Sequence, residues 1–132
     1  MITKIDHIAV ASHDINSAQH LFNRLLGLSL RTTETVEDQE ITTDIYDING
    51  IGLEVMEPMQ ETSPITKFLE KRGPGIHHIC FQVTEIEQML QDLESAGIKL
   101  IDREPRIGAE GKKIAFLHPK STQGVLIELS EE

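Results

Sequence analysis

Apolar and polar residues alternate along this chain in two stretches that resemble each other. The first runs from Lys4 to Ala11 and the second from Ile76 to Val83. In both, branched apolar side chains recur at every second position, which is the period of a half-buried β-strand. Because a similar sequence follows each strand, the pattern predicts a chain built from two related halves.

A helix is predicted after each of these strands, at nearly the same distance. Ser12 to Asp14 offers N-cap residues for the first helix, and Thr84 to Glu87 has the form of a capping box for the second. Gly27 and Gly97 are expected to end them. Apolar residues at helical spacing predict that both helices pack on a core: Ile15, Ala18, Leu21, Phe22, Leu25 and Leu26 in the first, and Ile86, Met89, Leu90, Leu93 and Ala96 in the second.

Three more strands are predicted in each half. In the first half they are Leu28–Glu37, Ile41–Ile48 and Ile51–Met56, the last two joined by the hairpin signal Asn49-Gly50. In the second half they are Ile98–Ile101, Lys113–His118 and Val125–Ser130, with a loop over Arg106–Lys112 that contains two glycines. Each half therefore reads β-α-β-β-β.

The boundary between the halves is expected at Gly73-Pro74-Gly75, after a short helix that Ser63-Pro64 opens. We therefore predict an α+β fold in a single domain over residues 1–132, with one βαβββ module over about 1–73 and a second over about 74–132. Two such modules side by side form a curved mixed sheet with the helices on its outer face.

Composition is that of a soluble globular protein, with 39% hydrophobic and 26% charged residues in a chain of 132. The longest apolar runs are too short to span a bilayer, and the N-terminus has no signal-peptide pattern, so a cytoplasmic location without a membrane partner is expected. The single cysteine, Cys80, excludes an intrachain disulfide.

Net charge excludes general nucleic-acid binding, because a formal charge of −10 repels phosphates. The charge is unevenly distributed, however, and basic residues outnumber acidic ones between Lys99 and Lys120. A solvated surface is the commoner explanation of such a segment, and an anion-binding loop is the alternative.

Candidate chemistry lies in a histidine and a glutamate that recur in both halves. His7 and His78 occupy the same place in the two related strands, and Glu54 and Glu128 interrupt apolar strands about fifty residues after them. Strand periodicity sends each glutamate to the face opposite its apolar neighbours. Two imidazoles and two carboxylates suit a divalent transition metal and leave two octahedral positions open for a substrate.

Any one of these residues taken singly is more often structural, since strand histidines usually make hydrogen bonds and strand glutamates usually face solvent. Four at repeat-equivalent positions favour a metal site. His77 faces away from His78 and is expected to be structural, while Cys80 shares the face of His78 but is more typical of a small buried hydrophobe. His118, before a proline, is a weaker candidate for a ligand-contacting loop.

These residues give the chain a resemblance to the vicinal-oxygen-chelate superfamily over its whole length, and within it to the methylmalonyl-CoA epimerase family. The stretches that carry the resemblance are Ile5–Val10, Ser63–Ile65 with Phe68–Ile79, Phe116–Ser121 and Gly124–Leu129. The glyoxalase branch tends to have an Asp-Pro-Asp-Gly turn where this chain has His118-Pro119-Lys120-Ser121.

The resemblance implies that His7, Glu54, His78 and Glu128 bind a divalent metal, with Co²⁺ first and Mn²⁺, Ni²⁺, Zn²⁺ or Fe²⁺ as alternatives. It implies epimerisation of (2R)- and (2S)-methylmalonyl-CoA through a metal-stabilised enolate, with Glu128 as one acid/base, an acyl-CoA substrate and a homodimeric assembly. Lys112, Lys113 and Lys120 are candidates to bind the phosphates of CoA.

A second acid/base is not evident from the sequence. Some epimerases carry a glutamate where this chain has Thr43, and Asp44, one residue on, is expected to face the wrong side of its strand. Either a different group or water completes the acid/base pair, or Glu54 serves as its second member.

Two alternatives use the same fold: a lactoylglutathione lyase of the glyoxalase I type, and a non-catalytic module that binds small molecules. The lyase usually has the turn that is absent here, and binding modules often lack the four ligands. An iron dioxygenase needs only two histidines and one carboxylate, so the fourth ligand and the short chain count against it.

Overall fold

Eight strands and three helices run along the part of the chain that the structure describes. This computed structural model describes the backbone of residues 1–132 and every side chain except that of Ala109. In order, the elements are β1 (Ile2–Ala11), α1 (Ile15–Gln19), β2 (Ser29–Val36), β3 (Ile41–Ile48), β4 (Ile51–Pro58), α2 (Pro64–Arg72), β5 (Gly75–Val83), α3 (Ile86–Ser95), β6 (Arg106–Ile107), β7 (Lys113–Leu117) and β8 (Ile127–Glu131). None of the helices in this described part is long and apolar enough to cross a membrane.

The chain forms two compact units. The first unit is His7–His77, and the second unit combines Met1–Asp6 with His78–Glu132. In the second unit the start of β1 lies beside the end of β5, where the Thr84 N–H donates to the Met1 carbonyl at 3.1 Å. The first six residues therefore belong with the second unit, while the division near residue 73 stays a prediction.

The sheet of the first unit has the strand order β2-β3-β4-β1. The β1 and β4 strands are parallel, and the other neighbours are antiparallel. Asn49 and Gly50 both have positive φ, as a tight hairpin between β3 and β4 requires, so the predicted turn is confirmed.

The two faces of this first sheet are packed differently. On one face α1 covers Val55 and Tyr46, and the Phe22 ring lies 5.9 Å from the Tyr46 ring. The opposite face carries His7 and Glu54, and we call it the ligand face of the first unit. Helix α2, capped by the Ser63 hydroxyl as predicted, covers one end of the ligand face with an apolar cluster of Ala9, Ala11, Ile41, Met56, Ile65 and Leu69.

The sheet of the second unit has the order β5-β8-β7-β6, with β5 and β8 parallel. Helix α3 packs on one face through an apolar cluster of Val83, Ile86, Leu90, Ala115, Leu117 and Leu129. His78 and Glu128 alternate with these residues along their strands and lie on the other face, the ligand face of the second unit. Mixed sheets, helix-covered faces and a doubled βαβββ order confirm the predicted fold class.

The short strand predicted near Ile98–Ile101 is reduced to one bridged residue. Only Leu100 forms a bridge there, with Leu117. Backbone hydrogen bonds flank this bridge, from the Ile101 N–H to the Phe116 carbonyl and from the His118 N–H to the Lys99 carbonyl. The Asp102 carboxylate accepts the Phe116 N–H at 2.8 Å, so a side chain ends the pairing there. The strand next to β7 is β6, at Arg106–Ile107, within the predicted loop.

The predicted capping box of the second helix is also replaced. Glu85 is the N-cap and has a left-handed backbone, with φ of 53°, and its side chain makes no cap. Instead the Glu131 carboxylate, from the last strand, accepts the N–H groups of Glu85 and Ile86. A local sequence motif cannot reveal this cap because its acceptor is forty-five residues away.

The apolar stripe of the first helix is not buried as expected. After α1 the chain continues in a wider π-helical turn, His20–Leu25, in which the Leu26 N–H donates to the carbonyl five residues earlier, at 2.9 Å from the Leu21 oxygen. This wider turn shifts the stripe away from the sheet. As a result Leu21, Leu25 and Leu26 are 44%, 67% and 61% exposed.

The remote cap gives a stability prediction. Replacing Glu131→Ala removes the acceptor at the N-terminus of α3, and we expect the free energy of unfolding to fall by about 1 kcal/mol. Denaturant unfolding would measure the change. The matched control is Glu104→Ala, an exposed glutamate outside the helices, which should change stability by less than about 0.5 kcal/mol. Equal losses in the two variants would contradict the cap.

Candidate metal and catalytic site

A histidine and a glutamate meet on the ligand face of the first unit. Strand β1 carries His7 and the neighbouring parallel strand β4 carries Glu54, which lies level with Ala9. The His7 Nδ1 atom is 3.2 Å from the Glu54 Oε2 atom, and their side chains are 11% and 24% exposed. The first unit therefore presents one imidazole nitrogen and one carboxylate oxygen side by side.

A second pair of the same kind lies on the ligand face of the second unit. The His78 Nε2 atom is 3.0 Å from the Glu128 Oε1 atom, and both side chains are less than a tenth exposed. Phe116 lies level with Glu128 on β7, and its ring meets the His78 ring edge-on with centroids 5.5 Å apart. This wall keeps the second pair drier than the first.

The spacing inside each pair suits a bound ion. Metal–ligand bonds to imidazole and carboxylate are about 2.1 Å long, so two ligands at a right angle around one ion lie about 3 Å apart. The measured separations of 3.2 Å and 3.0 Å match this value. A buried carboxylate also requires a cation or several hydrogen bonds. Each pair thus has the spacing of two ligands of one ion.

Two neighbours of these histidines have the surroundings that strand periodicity indicates. Cys80 is fully buried and lies level with Glu128 on the adjacent strand. The ring of His77 packs edge-on against Phe68 of α2, with centroids 4.9 Å apart. The packing of His77 on an aromatic ring is consistent with a structural role.

The basic segment is largely neutralised inside the second unit. The Lys112 ammonium lies between the carboxylates of Asp6, Glu110 and Glu132, at 3.6 to 3.7 Å. Burial disfavours its charge, but these three carboxylates outweigh burial and raise the pKa of Lys112. Lys113 pairs with Glu87 at 2.7 Å, and this hydrogen bond raises the pKa of Lys113. Both lysines therefore stay protonated, but neighbouring carboxylates already compensate their charge, which leaves a weaker attraction for a phosphate.

His118 has a local role in its turn. Its Nδ1 atom accepts the Lys120 N–H at 3.1 Å, which caps a short 3₁₀ turn over Pro119–Ser121. The predicted ligand-contacting loop therefore has a histidine that is already engaged on one side of its ring.

Asp44 lies on the side that faces α1, as the strand register predicts. Its two carboxylate oxygens accept from the Thr33 hydroxyl at 2.6 Å and the Gln19 amide at 3.4 Å. The residue is only 2% exposed. Burial, followed by the charge of Asp44, raises the pKa of the nearby Tyr46. Asp44 therefore joins α1 and β2 to β3 and is turned away from the ligand face.

The sequence did not predict the surroundings of the second pair. The Phe116 ring contacts the His78 ring edge-on, and the Arg106 guanidinium lies over the Phe116 ring, 5.5 Å from the Phe116 centroid. The β7–β8 hairpin register would have placed Phe116 beside Glu128. Nothing in the sequence would have placed Arg106, because β6 was predicted as loop.

Comparison with known proteins identifies the family that this chain matches. The sequence profile of the Glyoxalase/Bleomycin resistance protein/Dioxygenase superfamily matches residues 6–116. An uncharacterised protein of Bacillus subtilis, YqjC, is 42% identical over 98% of this chain and 93% of its own length. An ethylmalonyl-CoA/methylmalonyl-CoA epimerase of Cereibacter sphaeroides is 36% identical over 99% of both chains.

Solved structures agree with the sequence comparison. A methylmalonyl-CoA epimerase in complex with methylmalonyl-CoA and NH₄⁺ has 34% sequence identity and a TM-score of 0.92. The match covers 100% of this chain and 96% of that one. The likeness therefore extends through both halves.

The role of Asp44 can be tested by changing one oxygen. In Asp44→Asn one of the two donors loses its acceptor, so we expect the free energy of unfolding to fall by about 1 kcal/mol. Asp47→Asn, an exposed position on the same strand, is the control and should have no measurable effect on thermal unfolding. Unchanged stability of the Asp44 variant would show that these hydrogen bonds contribute nothing.

Proposed function

This chain belongs to the glyoxalase/bleomycin resistance protein/dioxygenase superfamily, and we propose that it is a metal-dependent enzyme that interconverts (2R)- and (2S)-methylmalonyl-CoA. The observation that carries the proposal is the repeated pair of histidine and glutamate, at 3.2 Å in the partly buried first pair and 3.0 Å in the buried second pair. Full-length relatives that are named as epimerases support the choice of substrate.

We propose that His7, Glu54, His78 and Glu128 together bind one divalent ion. Support comes from the ligand types, two nitrogens and two oxygens, and from the ligand-like spacing within each pair. When bound, such an ion supplies a Lewis acid that stabilises the negative charge of an enolate oxygen. Held by these four residues, such an ion would be accessible to the thioester and carboxylate oxygens of the substrate.

Glu128 is proposed as one acid/base for the α-carbon. Its carboxylate is nearly buried between His78 and the strand that carries Phe116, so water has little access to it. Exclusion of water matters because an enolate that meets solvent is protonated without control. Glu128 takes the α-proton from one epimer and returns a proton when the reaction runs in reverse.

Three further parts of the proposal rest on the resemblance and on composition: Co²⁺ as the physiological ion, a homodimer as the assembly, and the cytoplasm as the location. Lys120 is exposed, and it is the better candidate among the three lysines for the phosphates of CoA because Lys112 and Lys113 are already paired.

Solvent exchange of the α-proton tests the activity. Protein loaded with Co²⁺ and incubated with methylmalonyl-CoA in deuterated water should incorporate deuterium at the α-carbon and bring the two epimers to equilibrium, as NMR would show. Chelation of the metal should stop both processes, and re-addition should restore them. Activity that persists after chelation would contradict the metal dependence. A metal-loaded protein without activity would contradict the epimerase function.

Adjacent histidines provide a matched test of the ligand set. His78→Ala removes a proposed ligand and should lower metal affinity by at least 10-fold, measured by calorimetry on the apoprotein. His77→Ala changes the neighbouring residue, which packs on Phe68, and should retain metal affinity. Full metal occupancy in the His78 variant would show that the site lies elsewhere.

A further inference from the structure

Epimerisation needs a proton donor or acceptor on each side of the α-carbon, so one carboxylate is insufficient. Glu128 is the group proposed for one side, and the group for the other side is still to be assigned. Asp44 is excluded because it is turned toward α1 and engaged by Thr33 and Gln19. Glu54, like Glu128, is a proposed metal ligand and lies 3.2 Å from His7, and two groups without a hydrogen-bond partner on the same face favour a residue outside the ligand set.

Thr43 is the first residue that indicates where the second acid/base lies. It lies level with Met56, on the ligand face of the first unit, and is 4% exposed. Its hydroxyl has no hydrogen-bond partner among the described side chains and backbone. A buried hydroxyl without a partner is uncommon, and a bound water or ligand is the usual explanation.

Glu34 is the carboxylate nearest to Thr43 in the strand register and is the candidate for this role. The strand register places Glu34 directly opposite Thr43, so both side chains lie on the ligand face. Residues opposed in this way have Cβ atoms about 5 Å apart, which leaves room for one water between a carboxylate and a hydroxyl. Glu34 is half-buried, and no hydrogen bond or ion pair engages its side chain within the described part of the chain.

The remaining acidic residue on this face is less suitable. Asp47 lies level with Gly52, at the hairpin end of β3, and is exposed to solvent. Glu34 and Thr43 instead lie next to the apolar cluster under α2, where Met56 is buried. A carboxylate beside apolar side chains is better suited to accept and return a proton than one in open water.

We propose that Glu34 is the second acid/base and that it acts through a water held by the Thr43 hydroxyl. This inference rests on the proposed epimerase function. In one direction Glu128 takes the α-proton and the electron pair of the C–H bond moves toward the thioester oxygen. The water then gives a proton to the other side of the α-carbon, and the Glu34 carboxylic acid replaces that proton. In the reverse direction the same groups exchange roles, so no other reactant is consumed.

The test separates inversion from proton exchange. In Glu34→Gln, interconversion of the epimers should fall by roughly 100-fold or more, while one epimer still exchanges its α-proton with deuterated water through Glu128. Thr43→Val, which keeps the shape and removes the hydroxyl, should also slow inversion more than exchange. Glu37→Gln is the control, because it makes the same charge change at an exposed position just after β2.

Metal affinity and thermal unfolding should match the wild type in all three variants, which separates the catalytic role from folding or metal loss. Interconversion in Glu34→Gln that equals that of Glu37→Gln would overturn the role of Glu34 and leave the epimerase intact. A wild-type protein without exchange or inversion would overturn the epimerase itself.

Discussion

The constraint on which this structure depends is the two-residue period of its strands. In each unit one helix covers one face of a sheet with apolar side chains, and the alternation sends the histidine and glutamate of that unit to the other face. A shift of one residue in the register of β4 or β8 would bury these carboxylates under a helix. The same contacts that form the core therefore also fix the position of the candidate metal ligands.

Within that constraint, parallel pairing places strands side by side that are far apart in the sequence, which a hairpin cannot do. The β1 and β4 strands are neighbours although 39 residues lie between them, and β5 and β8 repeat the arrangement with 43 residues between them. Neighbouring parallel strands bring a histidine from the start of a unit next to a glutamate from its end. A polar pair with long sequence separation is thus held by backbone hydrogen bonds rather than by a flexible loop.

Much of this was predictable because strand periodicity and the internal repeat are local signals. His7, Glu54, His78 and Glu128 were identified from their repeat positions, and the orientation of Asp44 from its register. Most of the incorrect predictions involve contacts between residues that are far apart in the sequence. Glu131 caps a helix from the last strand, Asp102 ends a strand pairing, and a π-helical turn exposes three leucines that a regular helix would have directed to the sheet. Glu34 could be recognised only once the β2–β3 register was known.

The division of β1 between the two units has a consequence for the stability of the second unit. Residues Met1–Asp6 belong to the second unit, while the strand continues into the first. Removal of Met1–Asp6 would therefore take from the second unit a strand segment and the carbonyl that accepts the Thr84 N–H. An N-terminal truncation is thus expected to destabilise residues that lie far from it in the sequence.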